Sequence, residues 1–411
     1  MKRDFDKIYD RRNTNCFKWD LNKEIYSKED VISMWVADMD LPTDPLIEQS
    51  IIERAKHPLY GYTFRDKEYF QAFINWQKSH NNWAIDKDWL LNSTSVVVSL
   101  NLIIRTFSQP KDKIMIITPV YSQFFVAIND TGRQIVSSSL IEDESEFVMD
   151  FSDIESILAQ GVKLLIFCSP HNPVGRVWRN DELQKLAQLC LKYKTIIVSD
   201  EIHSDLIYSE SVHIPVASIS PQVSANIITC MSPGKSFNVS GLSISFIIVE
   251  NEELREKIRN TFLSYHLMAA NIFGITAAQT AYNSGEPLLQ EVKIYLQGNR
   301  DFIIDYITEN IPLIKLYKPQ GTFLAWFDLR NLKLNQDDLQ LFLVHVAGLG
   351  LDNGTKYGDD GEGFMRLNFA CSRQLLEKAL CQLKNAVNKL IEVDLVFEKL
   401  NIDNQKIDDC A

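Results

Sequence analysis

Two patterns of apolar residues alternate along the chain from about residue 89 to residue 250. Short runs, several of them apolar on both faces, are separated by longer stretches whose apolar residues recur at helical spacing. Such runs are typical of buried parallel strands, and helices between them would cover the sheet. The predicted strands are 89–92, 113–118, 163–168, 195–199, 226–230 and 244–249, and the helices between them are 96–108, 121–131 and 180–193.

A different order of elements follows and predicts a second, smaller domain. Helices are expected at 251–265, 270–283 and 287–310, and the long last helix is expected to link the two domains. The pattern beyond it predicts, in order, a strand at 322–328, a helix at 336–347, a glycine-rich loop at 354–363, a strand at 364–369 and a helix at 372–391.

The 411 residues are too many for one simple core, and four parts are predicted. Residues 1–45, rich in aromatic and charged residues, form an extended arm that packs with the small domain. The large domain spans 46–285 and opens with a helix that Asp44 caps. The small domain spans 286–400, and the polar tail 401–411 is expected to fray.

Charge and composition narrow the class of function. A net charge of −12 argues against nucleic acid as a partner, because phosphates are bound by clustered Lys and Arg. Seven cysteines without a C-x-x-C pair favour reduced thiols and a cytoplasmic location over disulfides or a zinc site. The histidines form no metal-binding pair, and no apolar run approaches the roughly 18 residues that span a bilayer. We therefore expect an enzyme that uses no metal, nucleic acid or membrane.

Polar motifs follow five of the six predicted strands. In a mostly parallel sheet, ligands bind beyond the carboxyl ends of the strands. Because the motifs share this position, we expect them to meet at one site, which is stronger evidence than any single motif. The motifs are 93–95, 118–121, 169–173, 199–201 and 232–238.

Lys235 lies in the most informative of these motifs, CMSPGKSFN (residues 230–238). A turn of small residues lets the backbone approach an anion and holds the amine beside it. We interpret Lys235 as the residue that forms a Schiff base with pyridoxal phosphate, although most lysines near a glycine turn are solvated surface charges. A nucleotide-binding P-loop is a poor match, since Thr229 stands where that motif needs glycine.

Five further positions suit this cofactor. Asp200 can keep a pyridine nitrogen protonated, Asn172 can donate to a phenolate oxygen, and Tyr121 can stack on the ring. Ser95 and Val96 open a helix whose N–H groups can bind a phosphate. Each position also has a simpler explanation: a helix cap or surface charge for Asp200, turn formation for Asn172, core packing for Tyr121 and helix capping for the residues at 93–95.

Arg366 lies within an apolar strand, and a buried arginine needs an anionic partner. A substrate carboxylate held by two hydrogen bonds would provide one. An interdomain salt bridge would do so equally well, and the sequence leaves both possibilities open.

A set of longer motifs extends this picture over about residues 5–391. The set comprises TNCFKWD (14–20), ADMD (37–40), YGY (60–62), SPHNPVGRVW (169–178), SDEIH (199–203), KSFN (235–238) and GFMRLN (363–368). Together they resemble fold-type I pyridoxal-phosphate enzymes of the class I/II aminotransferase superfamily. The match is most similar to the cystathionine β-lyase branch, which includes a bifunctional lyase that also represses a maltose regulon. The arm motif and SDEIH are specific to the branch, whereas the Asn–Asp–Lys set is specific only to the superfamily.

The resemblance implies an α/β fold of type I. Its large domain carries a mostly parallel seven-stranded sheet, and its C-terminal domain is a smaller α/β unit. It also implies that Lys235 is the Schiff-base lysine and general base, and that Asp200 is the partner of the pyridine nitrogen. Asn172 resembles the phenolate donor, and Tyr121 the stacking ring, counted with Lys235 among the catalytic residues.

Further roles follow from the same resemblance. Tyr62 resembles a tyrosine that reaches the neighbouring subunit's phosphate and substrate, which implies a homodimer. Arg366 looks like the anchor of the substrate carboxylate. His203, also expected beside the cofactor, stands where typical aminotransferases carry a tyrosine, which favours the lyase branch. The implied phosphate ligands are Ser95, Val96 and Ser232.

Three positions depart from the family pattern. Gly234 stands where the branch usually has serine, so that one hydroxyl near the phosphate is missing. Ser243 stands where many aminotransferases have a phosphate-binding arginine, which relatives in this branch also lack. The segment 351–354, with Asp352 and Asn353, replaces an expected Pro-Gly beside the substrate, which affects the expected side-chain preference.

The implied reaction is α,β-elimination from cystathionine or another S-substituted L-cysteine, a step of amino-acid metabolism related to methionine biosynthesis. Lys235 would remove the Cα proton, for which burial must lower its pKa. The products would be a thiol, pyruvate and ammonia. Two alternatives stay open: an aminotransferase that uses the same cofactor, and a regulator that binds a transcription factor and keeps residual lyase activity.

Overall fold

The computed structural model describes residues 3–267 and 269–408, with side chains as far as residue 392. Cys410 and the end of the predicted tail, 409–411, lie outside the described residues. Across these ranges, no helix is both long and apolar enough to cross a membrane.

One mixed sheet of seven strands forms the centre of the large domain. The strands are β1 (Leu90–Ser93), β2 (Lys113–Thr118), β3 (Gln134–Ser139), β4 (Leu164–Cys168), β5 (Ile196–Asp200), β6 (Ile227–Met231) and β7 (Ser245–Ile248). Their order across the sheet is β1-β7-β6-β5-β4-β2-β3, and β7 alone runs antiparallel to its neighbours in this sheet. The expectation of a mostly parallel seven-stranded sheet is confirmed.

Both faces of this sheet are buried, as the apolar runs predicted. In β2, Ile114 and Ile116 belong to one apolar cluster, whereas Met115 and Ile117 belong to another. Successive side chains of a strand point to opposite faces, so each cluster lies on its own side of the sheet. The bounds of the six predicted strands differ from the observed ones by no more than one residue.

The strand β3 was not among the six runs found in the hydrophobic pattern. Its sequence, QIVSSS, is largely polar, and most of its residues keep some exposure at the edge of the sheet. An edge strand has one neighbour and one open side, so an apolar run is not required there.

Helices cover the sheet on both sides. Asp44 caps the first of them as predicted, accepting a hydrogen bond from the N–H of Leu46 at 2.8 Å. The helices of more than one turn in the large domain are α1 (Pro45–Lys56), α2 (Lys67–Asn81), α3 (Val96–Phe107), α4 (Ser122–Asp130), α5 (Phe151–Leu158), α6 (Asn180–Lys192), α7 (Glu252–Ser264) and α8 (Ile272–Ser284). Of these, α5 was not predicted.

The C-terminal part folds around a small antiparallel sheet. Its strands are β8 (Lys315–Leu316), β9 (Leu324–Asp328), β10 (Asp352–Asn353) and β11 (Phe364–Asn368), in the order β8-β9-β11-β10. The helices are α9 (Glu286–Asn310), α10 (Gln336–Leu341), which continues as a π-helix over Phe342–Ala347, and α11 (Arg373–Asp408).

Two contacts bring the N-terminal arm and the small domain to the edge of the large sheet. The arm strand Ile32–Ser33 pairs in parallel with Leu349–Gly350 of the C-terminal part. The N–H of Val120, just after β2, donates to the carbonyl of Tyr357 at 2.9 Å. The carboxyl ends of β2, β4, β5 and β6 therefore face residues from the arm and from the small domain.

Candidate active site

Two adjoining cavities lie at these strand ends, and they contain nine of the ten residues predicted for the site. The inner cavity has a volume of about 170 Å³ and the outer one about 560 Å³. They share Ala37, Tyr121 and Lys235. Arg366 lines the outer cavity. The predicted residues that line the inner cavity are Ser95, Val96, Tyr121, Asn172, Asp200, His203, Ser232 and Lys235.

Tyr62 is the predicted residue that lies elsewhere. It lines neither cavity and is fully exposed in the single chain. Its expected role is in the site of a neighbouring subunit, so its exposure leaves that role a prediction.

Lys235 projects from a one-turn helix, Pro233–Ser236, that follows β6 directly. Its Nζ donates a hydrogen bond to the carbonyl of Ala37 on the arm. Burial lowers the pKa of Lys235 to about 8, an effect that Asp38 opposes and the positive charge of Arg366 reinforces. A substantial fraction of this amine is therefore neutral near pH 8, and a neutral amine can act as a nucleophile or a base.

Asp200 is the last residue of β5 and lies on the floor of the inner cavity. Strand register places Cys168 of β4 and Cys230 of β6 beside it, so uncharged thiols flank the carboxyl group. Burial raises the pKa of Asp200 to about 7, although the N–H of Ile202, 3.1 Å from Oδ1, and the nearby Lys235 lower it. An acid with this pKa is only about half charged at pH 7, and a cation beside it would stabilise the charged form.

Asn172 and Arg366 meet across the boundary between the two domains. Arg366 Nη1 donates to Asn172 Oδ1 at 3.1 Å. Because a guanidinium only donates, this bond fixes the amide orientation and directs the two N–H groups of Nδ2 to other acceptors. The backbone N–H of Asn172 also donates to the Sγ of Cys168 at 3.4 Å, which holds the turn against β4.

Arg366 has an acidic partner within its own sheet. Its Nη2 lies 3.1 Å from Asp352 Oδ2 and donates to the carbonyl of Trp35 at 2.6 Å. The alternative of an interdomain salt bridge is therefore wrong, because Asp352 lies on β10, the neighbour of β11. The Nε of Arg366 is buried and has no hydrogen-bond partner among the described residues.

Tyr121 and His203 complete the wall of the inner cavity. Burial, reinforced by Asp200, raises the pKa of Tyr121 to about 12, so its phenol keeps its proton. Burial, reinforced by Lys235 and Arg366, holds the pKa of His203 well below its usual value. His203 is therefore a neutral ring, and its buried Nδ1 has no partner among the described residues.

Hydroxyl and N–H groups also line the inner cavity. Ser95 caps α3 and accepts a hydrogen bond from the N–H of Val98 at 3.2 Å. The hydroxyl of Ser232 donates to the carbonyl of Ile244 at 2.7 Å, so its proton is already engaged. Thr94 and Ser240 line the same cavity.

Ser240 was missed by the sequence analysis, and it accounts for the glycine at 234. A Cβ at Gly234 would lie 2.9 Å from the Oγ of Ser240 and 3.1 Å from the Oγ of Ser232. A serine at 234 would therefore displace one of these hydroxyl groups. The sequence offered only a small-residue run after Asn238 as a signal, which is too common to identify a ligand.

Metal ligands are not clustered here. Within the residues that the structure describes, no group of three or more His, Cys, Asp or Glu side chains could hold a metal ion.

Known proteins resemble this chain in sequence and in fold over nearly their whole length. The chain is 35% identical to "Cystathionine beta-lyase PatB" of Bacillus subtilis over 93% of this chain and 100% of the relative. A pyridoxal-phosphate-bound C-S lyase from Staphylococcus hominis is 32% identical, with a TM-score of 0.87 over 94% of this chain and 99% of the other. A pyridoxal-phosphate-bound protein from Clostridium difficile, provisionally named an aminotransferase, is 41% identical, with a TM-score of 0.92 over 93% and 99%.

A family model covers most of the sequence. The model for "Aminotransferase class I and II" matches residues 27–383, which include β1 to β11 and every residue lining the inner cavity. The chain therefore belongs to the class I and II aminotransferase family.

Proposed function

We propose that this protein is a pyridoxal-phosphate-dependent carbon–sulfur lyase that cleaves S-substituted L-cysteines such as cystathionine. In the overall reaction, the thioether and one water give a thiol, pyruvate and ammonia. The names of the Bacillus subtilis and Staphylococcus hominis relatives support this activity. The observation that carries the proposal is that Lys235 and Asp200 face one cavity with their pKa values moved to about 8 and about 7.

The residues of the inner cavity fit pyridoxal phosphate. When bound, the cofactor supplies an aldehyde that reacts with amines and a ring that withdraws electrons from the substrate's Cα. Asp200, a buried acid in need of a cation, suits a protonated ring nitrogen. The N-terminus of α3, with Ser95 and Val96, and the hydroxyl of Ser240 suit a phosphate group.

Each remaining residue has a defined task in this proposal. Lys235 Nζ takes the Cα proton of the substrate, and its pKa of about 8 lets it do so near neutral pH. Asn172 donates a hydrogen bond from Nδ2 to the phenolate oxygen of the cofactor, because its Oδ1 already accepts one from Arg366. Arg366 holds the substrate carboxylate, for which its unpartnered Nε is available. The tyrosine ring at 121 packs over the cofactor and keeps water from it.

An aminotransferase is the second candidate, because the Clostridium difficile relative carries that name. The two reactions differ in their need for an oxo acid. The loaded protein is given L-cystathionine without any oxo acid, and pyruvate and free thiol are measured over many turnovers. Sustained release of both supports the lyase, and Lys235→Ala should abolish it. Turnover that begins only when an oxo acid is added would make the protein an aminotransferase.

A homodimer is part of the proposal, because the segment around Tyr62 is apolar and open. Leu59, Tyr60, Tyr62 and Phe64 are exposed by 57% or more in the single chain. Neighbouring apolar side chains with this exposure mark a surface that another protein covers. A second copy would bury them and would bring Tyr62 to the partner's cavity.

A further inference from the structure

Asp352 has no role in the proposed reaction, yet it lies beside the arginine proposed to hold the substrate. It faces Arg366 in the register of β10 and β11, so strand pairing fixes the distance between the two backbones. Its neighbour Leu351 is buried in the apolar core, and the alternation of side chains along the strand turns Asp352 toward the outer cavity.

Three donors hold this carboxylate in place. Asp352 Oδ2 accepts from the hydroxyl of Tyr357 at 2.6 Å and lies 3.1 Å from Arg366 Nη2. Asp352 Oδ1 accepts from Lys356 Nζ at 3.0 Å. The Asp352 side chain is 10% exposed, whereas that of Lys356 is 51% exposed. Asp352 is therefore a built-in part of the wall, and its orientation is set from both sides.

The outer cavity provides few charges for a substrate side chain. Among the residues that line it, Asp352 is the only acid, and Lys235, Lys356 and Arg366 are the cations. In the proposed reaction Lys235 serves Cα and Arg366 serves the α-carboxylate, which leaves Lys356 near the side chain. Lys356 already forms a salt bridge with Asp352. A second carboxylate on the substrate would therefore have no cation to itself, and the negative charge of Asp352 would repel it.

We propose that Asp352 is a specificity-determining residue that excludes substrates whose side chain carries a net negative charge, such as a second carboxylate without an ammonium group beside it. Neutral, cationic and zwitterionic S-substituents remain acceptable, since Asp352 attracts an ammonium group and Lys356 can turn toward a carboxylate that arrives with one. This inference rests on the proposed function. It also gives a reason for the presence of Asp352 in the segment 351–354, where the family resemblance led us to expect Pro-Gly.

The test uses two ligands that differ only in charge. L-Glutamate and L-glutamine cannot undergo carbon–sulfur cleavage, and their binding to the cofactor-loaded protein is followed through the cofactor's absorbance, independently of turnover. In the wild type, the dissociation constant for L-glutamate should exceed that for L-glutamine by about tenfold or more. In Asp352→Asn, which preserves the shape of the side chain, the ratio should fall below about threefold.

Two further variants make the result decisive. Asp359→Asn removes the same charge from an exposed position on the same loop and should keep the wild-type ratio. Lys356→Met removes one of the two cations that contact Asp352 and should raise the ratio, and it serves as the test if Asp352→Asn does not fold.

The outcomes separate the inference from the proposed function. Three results would overturn the inference. The first is a wild type that binds both ligands equally well, and the second is an Asp352→Asn variant that keeps the full ratio of dissociation constants. The third is an equal loss of affinity for both ligands in Asp352→Asn, because Asp352 would then only support Arg366. If Lys356→Met leaves the ratio unchanged or lowers it, the inference is likewise overturned. If the loaded wild type binds neither amino acid and does not cleave cystathionine, the proposed function fails first.

Discussion

Replacing Asp200 by asparagine should make the protein without cofactor more stable and the protein with cofactor less active. Burial raises the pKa of Asp200 to about 7 from 3.8, so the folded state resists the charge that the unfolded state carries freely. The raised pKa means that stability is complete below pH 3.8 and declines as pH rises toward 7. The buried charge lowers the free energy of unfolding by about 4 kcal/mol above pH 8 and by about 2 kcal/mol at pH 5.

These costs translate into measurable shifts. For 411 residues, the unfolding entropy is about 0.9 kcal/mol/K, so Asp200→Asn without cofactor should melt about 5 °C higher at pH 8.5 and about 2 °C higher at pH 5. The asparagine oxygen can still accept the hydrogen bond from the N–H of Ile202, so the substitution keeps that donor paired. Thermal unfolding at the two pH values is followed by circular dichroism, with Asp359→Asn as a control for net charge.

Addition of pyridoxal phosphate should reverse the order of stability. A cationic ring nitrogen beside the carboxylate offsets the cost of burial in the wild type, and asparagine offers no charge to pair with it. The variant should gain less in melting temperature and should lose about 100-fold or more in kcat for elimination. If the variant without cofactor is no more stable at pH 8.5, or its advantage does not change with pH, burial is not what raises the pKa of Asp200.

Three further predictions concern the other site residues. The value of kcat for elimination, which reports groups in the substrate complex, should rise with pH and level off above about 8, since burial lowers the pKa of the free Lys235 amine to about 8; a kcat profile that is flat from pH 6 to 9 would contradict its role as the base. Arg366→Lys should raise KM by about 100-fold, because lysine cannot make the bidentate bond; initial rates test this, and an unchanged KM would exclude a carboxylate contact. Inactive Tyr62→Ala and Lys235→Ala proteins, unfolded and refolded together in equal amounts, should recover about a quarter of wild-type activity, because one site of each mixed dimer is intact. Recovery of no activity would mean that Tyr62 does not serve its partner's site.

The elements around the cavity could be predicted because burial leaves a strong signal in the sequence. Strands covered on both faces are apolar at most positions, and the charged residue that ends such a strand, as Asp200 ends β5, is therefore conspicuous. The polar edge strand β3 lacked that signal and was missed. The positions of Lys235 and Asn172 in the cavity were predictable for a similar reason: both follow buried strands, in short segments whose composition restricts the backbone.

Contacts between distant segments could not be predicted from local pattern. Local pattern does not show that strand register places Cys168 and Cys230 on either side of Asp200, where they keep water away from its charge. It also could not reveal that Ser240 fills the space next to Gly234, since this depends on how the chain returns after Lys235. The order of the strands in the sheet determines the first feature, and the path of the chain after Lys235 determines the second. Neither can be known without the three-dimensional structure.

Under the proposed function, the bond between Asn172 and Arg366 would link recognition of the cofactor to recognition of the substrate. Asn172 belongs to the large domain and Arg366 to the small one, and the 3.1 Å bond between them exists only while the two domains are together. Any movement that withdraws Arg366 from the substrate also frees the oxygen of Asn172 and removes the restraint on the amide donors that face the inner cavity. Substrate affinity and cofactor hydrogen bonding should therefore change together in variants of either residue, and Asp352 acts on both because it holds the guanidinium on its other side.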